Sequence, residues 1–517
     1  DGVTAWEESQ LGWSDHDPDS NGKVRGDGRR LTSWLAKPKR KKAGRRQWER
    51  EKRRRDRERR RDDDDDDHSD DDEDDPDDDD DGNDDDDSDD TDDGNDEDDS
   101  NDGDDGDDSG DNNDGSDGDD EVDGELTEAG ASRFLAQASF GATKPLVDEV
   151  GQIGIEAWID DQIAQPATYH LPLVEGRRQK ILSDQGINPN AGVEELFELE
   201  EQGQEVEFPG RLERYATWVE TALTAEDHLR QRVALALSEI LVVSDRIDEL
   251  EDNPRGMASY YDLLVQHAFG NFDDLLYDVT LHPVMGVFLS HAGNQKTDLE
   301  EGRFPDENYA REIMQLFTIG LFELNEDGTE KLDGTGNPIP TYDNKDITEF
   351  AKVFTGLYFD EEDPNLSVGQ TPYTKPMMME AEDHEPGSKT LLNGFVTPAG
   401  SSPLAEIRLT TDHLFNHPNT GPFIARRLIQ RLVKSNPSSD YILRVARVFD
   451  NDGTGKRGNL AEVVKAILLD PEARNTQEAM EDLGSGMLKE PMTRLTNLLR
   501  NFPVIADPEA NTDTREE

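Results

Sequence analysis

Cysteine is absent from the 517 residues. That excludes a disulfide framework, a thiolate nucleophile and any Cys-ligated zinc or iron–sulfur centre. Long apolar runs are missing as well. A bilayer-spanning helix needs roughly 18–20 consecutive apolar residues, and the best stretch, Leu229–Val243, is broken by Arg230, Arg232 and Glu239. Positive charge is scarce: 54 Lys and Arg stand against 121 Asp and Glu, a formal net charge of −67. Phosphate binding runs on Lys and Arg, so no nucleic-acid partner is expected for the chain as a whole. The sequence has no P-loop, no G-x-S-x-G elbow and no H-E-x-x-H helix, which disfavours phosphate-cradling and serine-elbow enzymes. It opens at Asp1 without a charged-then-apolar leader. The expectation is that a leader has been removed or that the chain is a fragment.

What charge there is sits unevenly. Residues 1–36 are expected to be a disordered N-terminal segment. Residues 37–61 hold 16 Lys and Arg against 4 acids, and residues 62–123 hold 41 acids with no Lys or Arg. The acidic block has almost nothing to bury and repels itself, so residues 62–123 are expected to be a disordered, Asp-rich tail. In the basic segment, Glu49–Arg53, Glu51–Arg55 and Asp56–Arg60 are i,i+4 pairs in the favourable order, which predicts a short solvated helix. Such a segment can bind an external polyanion or pair with the acidic block beside it. The acidic block also offers hard oxygen ligands on flexible backbone, the chemistry of weak, multi-site Ca2+ binding; the alternative is a solvating spacer. Asp17-x-Asp19-x-Asn21-Gly22 opens like an EF-hand loop, but Gly28 stands where the bidentate Glu belongs.

From Thr127 the sequence becomes periodic. Thr224-x-x-Asp227 reads as a capping box before Leu229, Val233, Leu237 and Ile240. Met257, Tyr260, Tyr261, Leu264 and Val265 repeat at helical spacing. Asp306 is placed to cap a helix carrying Tyr309, Ile313, Leu316 and Phe317 that closes near Gly320, and Asp346-x-x-Glu349 to cap another ending at Gly356. Further apolar stripes follow Thr420, Ser439 and Asn459, and Leu495, Leu498 and Leu499 end the series. Residues 124–505 therefore predict a predominantly α fold, a single large helical domain large enough for its own core. Leu324–Tyr342 reads as a hairpin and loop insertion around Glu326-Asp-Gly-Thr329. Tyr358 to about Ser402 is a second irregular stretch, long for a compact domain. Residues 506–517 are expected to be a disordered C-terminus. The excess of acid in the folded part suits solubility in high salt.

Several of these segments carry a resemblance. Leu126-Thr-Glu-Ala-Gly-Ala-Ser-Arg-Phe-Leu135, Leu229-Arg-Gln-Arg-Val-Ala-Leu-Ala-Leu-Ser238, Pro305-Asp-Glu-Asn-Tyr-Ala-Arg-Glu-Ile-Met314, Phe350-Ala-Lys-Val-Phe-Thr-Gly356, His417-Pro-Asn-Thr420, Phe423-Ile-Ala-Arg-Arg-Leu428 and Leu468-Leu-Asp-Pro-Glu-Ala-Arg474 resemble, in order, the bacterial domain of unknown function 1800 family. The resemblance covers roughly residues 126–505. It implies an exported protein working outside the cytoplasm (periplasmic, cell-surface or secreted), with a partner in an exported sulfatase-like protein of the domain of unknown function 1501 family. It brings no catalytic residues with it.

Candidate sites must then come from the residues themselves. The helix after Asp306 sets Glu307, Arg311 and Glu312 beside its apolar stripe. Two carboxylates near a guanidinium suit acid–base work or anion binding, or form an internal Glu307–Arg311 pair. Glu239, on a helix apolar almost all round, either pairs with an Arg such as Arg232 or takes a raised pKa as a general acid. His282, His291 and His384 are scattered, and with Glu307 or Glu312 they would make a divalent-metal or general-base cluster only if the fold gathered them. His413 and His417 are i,i+4, but Pro418 predicts that the helix ends at His417. Asp450-Asn-Asp452-Gly-Thr-Gly455 fits the opening of a calcium loop or a tight helix–helix connection. Two functions stand: a binding or scaffolding protein of the envelope or exterior, and a hydrolase with a carboxylate/histidine, metal-assisted site.

Overall fold

The computed structural model describes residues 126–502, except Asp252, residues 361–372 and residues 482–483. The expectations for the Asp17 loop, the basic and acidic blocks and residues 506–517 lie outside the described residues. Within them the predominantly α expectation holds: there are twenty helices and a single two-stranded sheet. In chain order the helices are α1 (Glu128–Ala138), α2 (Lys144–Ile153), α3 (Ile155–Ala164), α4 (His170–Asp184), α5 (Val193–Glu201), α6 (Arg211–Thr224), α7 (His228–Ser238), α8 (Asp248–Glu251), α9 (Pro254–His267), α10 (Phe272–Leu281) and α11 (Pro283–Phe288). After an irregular passage come α12 (Asn308–Gln315) and α13 (Asn344–Val353). Then β1 (Leu357–Tyr358) pairs antiparallel with β2 (Met378–Met379). The chain ends with α14 (Pro403–Phe415), α15 (Thr420–Leu432), α16 (Ser439–Asp450), α17 (Leu460–Leu469), α18 (Pro471–Arg474), α19 (Thr476–Glu481) and α20 (Pro491–Asn501).

Helix starts follow side-chain caps, though not always the predicted ones. The Thr127 hydroxyl accepts from the Gly130 N–H and opens α1, and Ser438 does the same for α16. The predicted Thr224–Asp227 box is not formed. Thr224 closes α6, and Asp227 turns its carboxylate to the Thr168 N–H and the Gln231 amide instead. Asp306 accepts from the Asn308 N–H but lies one residue outside the N-cap, Glu307. Asp343, not Asp346, caps α13, and Asp346 reaches back to the Asp343 N–H as the third helical residue of a reciprocal box.

One apolar cluster runs through nearly the whole domain. Helix α9 lies near its middle, packed against α4, α6, α7, α8, α10 and α11, and α7 carries the contact onward to α15, α3 and α1. Helices α15, α16 and α17 pack on one another, while α10, α14, α13 and α12 form a second chain of neighbours. A small separate cluster holds Leu182, Ile187, Ala191, Leu196 and Val206.

The predicted hairpin is richer than one turn. Lys331 donates its N–H to the Glu323 carbonyl (2.7 Å), Ile339 to Lys331 (3.0 Å) and Glu323 to Ile339 (2.8 Å), so three short segments close on one another in a ring. Asp327 and Asp333 shape its turns by accepting from Thr329 and Thr335. The Asn419 side chain fastens the ring to the start of α15, bonding Ile319, Phe322 and Leu324.

Helix α20 departs from expectation. Leu495 and Leu498 are not core residues: they are 45% and 55% exposed, while Thr493 and Thr496 turn inward. A Cβ at Gly141 would stand 2.9 Å from the Asn497 Cα, so the two backbones meet closely there.

Gly356 follows α13 with φ 83°, and a Cβ at that position would stand 2.7 Å from the Glu380 carbonyl oxygen. Gly356→Ala therefore combines positive-φ strain with a backbone clash. It is expected to cost about 2 kcal/mol or more, read as a lowered urea midpoint with an unchanged slope.

Candidate functional site

Helix α12 does not present its charges freely. Glu307 and Arg311 approach at 3.6 Å, and Glu307 also accepts from the Thr348 hydroxyl (2.8 Å). Glu312 differs. Burial pushes its carboxyl up, only partly opposed by Arg311, and its Oε2 is buried without a hydrogen-bond partner. Tyr342 stands close by and donates to Gln315 (3.0 Å).

The histidines are held apart, each by its own bonds. His282 caps α11, accepting from the Val284 N–H, and burial pushes it down to about 3. His291 donates to the Thr280 carbonyl (2.9 Å) and stacks on Tyr309 of α12 at 3.9 Å, with burial holding it at about 4. Its neighbour Ser290 takes φ 62°, a strained value for a residue with a side chain. Among the described residues no three His, Asp or Glu side chains gather as a metal ion would need. His413 bonds the Leu392 carbonyl, and His417, beyond the end of α14, accepts from the Asn419 N–H.

The Asp450 loop closes on itself. Asp450 pairs with Arg457. Asp452 Oδ1 accepts from the Thr454 N–H, the Thr454 hydroxyl and the Lys456 N–H, and its Oδ2 accepts from Asn459. Gly453-Thr-Gly455-Lys-Arg-Gly458 also has the G-x-G-x-x-G spacing. It joins two helices, with no strand before it, so it lacks the context of a dinucleotide-binding turn. Instead the loop docks on the start of α10, Phe272 donating to the Gly458 carbonyl and Leu460 to Gly270.

Two charged clusters do form in the interior. In the first, His384, Lys389 and Glu406 are each under 9% exposed. Glu406 Oε2 lies 2.6 Å from Lys389 Nζ and 2.8 Å from His384 Nε2, and those two nitrogens are 3.2 Å apart. His384 Nδ1 donates to the Thr355 carbonyl, and Lys389 also donates to the Glu385 carbonyl. Burial pushes the Glu406 carboxyl up, but hydrogen bonds from His384, Lys389 and Thr397 outweigh it and hold the group below its ordinary value. Of the three, the sequence singled out only His384. Lys389 and Glu406 belong to no stripe or motif that would have marked them.

In the second, Glu239 ends α7 and Glu490 precedes α20, and the two carboxyls hydrogen-bond to each other. Burial first, then the charge of Glu490, push Glu239 up to about 7 against the pull of Arg431 and Arg232. Arg431 lies 3.8 Å from Glu239. Arg232 is completely enclosed beside them, and Lys489 is pushed down to about 8 by burial and then by Arg232. The suspected pairing of Glu239 with Arg232 is thus one part of a larger assembly.

The geometry is that of a cysteine-free helical domain stiffened by interior ion networks, one of which holds Glu239 at about 7 through burial first and then the charge of Glu490. A family model described as "Protein of unknown function (DUF1800)" matches residues 133–515, and the chain belongs to that family. Neither a curated protein nor a solved structure matches it.

Two outcomes follow from these networks. Lys389→Met leaves a buried carboxylate without its cation, a loss of about 3–5 kcal/mol, measured by urea denaturation. Glu239 binds its proton more tightly folded than unfolded, so its contribution falls as pH rises from the ordinary carboxylate range to about 7. Glu239→Gln is expected to add about 2 kcal/mol at pH 8 and little at pH 4, seen as a thermal midpoint raised only at the higher pH.

Proposed function

We propose that the domain is a binding protein that works outside the cytoplasm, and that α20 is where its partner docks. The observation that carries this reading is the inverted packing of α20. Leu488, Met492, Leu495, Leu498 and Phe502 are 82%, 42%, 45%, 55% and 68% exposed. Met492, Leu495 and Leu498 recur at helical spacing along α20, with Leu488 before it and Phe502 at its end, and together they form an exposed apolar surface of the kind that marks an interaction site. Helix α20 has two Arg and no acid in a chain of net charge −67; Arg494 is exposed, while Arg500 turns inward to the Ala222 carbonyl. A partner with an apolar ridge and an acidic border fits it. A second copy of this chain, equally acidic overall, is repelled at long range.

The partner we assign is the exported sulfatase-like protein of the domain of unknown function 1501 family, which the resemblance implies. Position outside the cytoplasm rests on the same resemblance. The bonds around the histidines and the Glu307–Arg311 pair serve to hold the scaffold in shape.

The test is titration of the purified sulfatase-like protein against this chain and its Leu495→Asp/Leu498→Asp variant, with circular dichroism to check folding. A loss of at least tenfold in affinity supports the reading. Equal affinity sinks it. A concentration-dependent dimer of the wild-type chain, absent in the variant, would replace the partner with a second copy.

A further inference from the structure

The described residues contain a single Asn-Gly pair, Asn393-Gly394, and the fold sets it at the tip of a hairpin. Leu391 donates its N–H to the Phe395 carbonyl (2.7 Å), Thr397 donates to the Lys389 carbonyl (2.9 Å), and Thr390 pairs with Val396 between them. The Phe395 N–H closes the turn on the Leu392 carbonyl (3.2 Å). Asn393 takes φ 57° and ψ 24° and Gly394 φ 71°, both left-handed, as a type I′ hairpin turn requires. Both residues are exposed. The Asn393 side chain has no hydrogen-bond partner among the described residues, and no atom lies within 4 Å of where a Cβ of Gly394 would stand. The Asp-Gly pairs differ. Asp327, Asp333 and Asp452 each accept from both the N–H and the hydroxyl of the Thr two residues on. Hydrogen bonds hold all three carboxyls below their usual range. A bonded, charged carboxylate resists attack by a nucleophile; the neutral, unbonded amide of Asn393 has neither protection.

We propose that Asn393 is a site of spontaneous backbone modification, at which Asn393-Gly394 rearranges to aspartate and isoaspartate and loosens the hairpin that carries Lys389. The Gly394 nitrogen, its proton drawn off by solvent base, adds to the side-chain carbonyl carbon of Asn393. Gly394 has no Cβ to crowd that approach. The new N–Cγ bond closes a five-membered succinimide. The Cγ–Nδ2 bond breaks and ammonia leaves, its extra proton supplied by water. Water then opens the ring. Addition at the side-chain carbonyl leaves aspartate. Addition at the main-chain carbonyl leaves isoaspartate, whose main chain runs through the former side chain and is longer by one methylene. Nothing is oxidised or reduced. A two-residue turn has no slack for the added methylene, so the Phe395–Leu392 bond is the first to go. The Leu392 carbonyl also bonds His413 of α14 (3.0 Å), and the Phe395 ring stacks on that histidine at 4.6 Å. At the base of the hairpin the Lys389 N–H donates to the Thr397 hydroxyl (2.9 Å), and Thr397 bonds Glu406. A change at the tip therefore reaches the buried Lys389–Glu406 network. The α20 docking face takes no part in it.

The experiment is incubation of the full chain at 37 °C, at pH 6 and at pH 8, with samples taken over several weeks for tryptic mass mapping and thermal denaturation. The tryptic peptide Thr390–Arg408 has Asn393 as its one amide side chain, so a gain of mass by amide-to-acid exchange reports this site alone. Progressive conversion is expected, several-fold faster at pH 8 because the attacking nitrogen must first lose its proton. Part of the product should accept a methyl group from a protein isoaspartate methyltransferase, which marks the lengthened backbone. The thermal midpoint should fall by a few degrees as conversion proceeds. Asn393→Gly keeps the left-handed turn without an amide and is expected to hold its midpoint through the same incubation. Asn393→Asp brings the charge without the extra methylene and should start at the wild-type midpoint. A peptide that keeps its amide throughout, a midpoint that conversion leaves unchanged, or an equal loss in Asn393→Gly overturns the proposal.

Discussion

The contact between Lys389 and Glu406, 2.6 Å long and almost sealed from water, ties the irregular half of the domain to the regular half. Lys389 belongs to a stretch with little secondary structure of its own, and Glu406 sits in the first turn of α14. Through His384 the same pair reaches the Thr355 carbonyl just past α13. Helix α14 packs on α10, and α10 on the central α9. The loop's main chain closes a short ladder where Lys389 and Leu391 meet Thr397 and Phe395, and the side chains of His384, Lys389 and Glu406 pin it to the helices. Such pins are costly to assemble and costlier to break, since removing one member strands the others.

The Glu239 cluster at the C-terminal end of α7 follows the same logic. There the carboxyls bond each other and a guanidinium is left with a free N–H. The exposed apolar residues begin at Leu488, directly before Lys489 and Glu490, so the docking surface and the Glu239 cluster adjoin at the entry to α20.

Most of the helices were legible because their apolar stripes repeat at the period that burial demands. Phe423, Ile424, Leu428 and Ile429 bury as their spacing implies, as do Leu460, Val463, Val464 and Ile467. Starts were less legible. Asp343 and Asp346 are equally good caps by composition, and only the backbone decides between them. Helix α20 misled because its leucines have core spacing while Thr493 and Thr496 take the buried positions; that choice depends on how the helix seats on α6, far away in sequence. Of the candidate site, Glu239 was legible as a carboxyl on an apolar helix. Glu490, Lys389 and Glu406 were not, because nothing local distinguishes an acid or a lysine that will be buried from one that will be solvated.

The ring built by Glu323, Lys331 and Ile339 has a further consequence. In an open hairpin the outer strand shows a row of unsatisfied N–H and carbonyl groups, on which another chain can add itself. Here each segment gives its donor to one neighbour and its acceptor to the other at these three residues. The insertion has two turns at its tips but no free edge along those positions. It can stand out from an all-helical body, crowded among copies of itself, without templating the growth of a sheet.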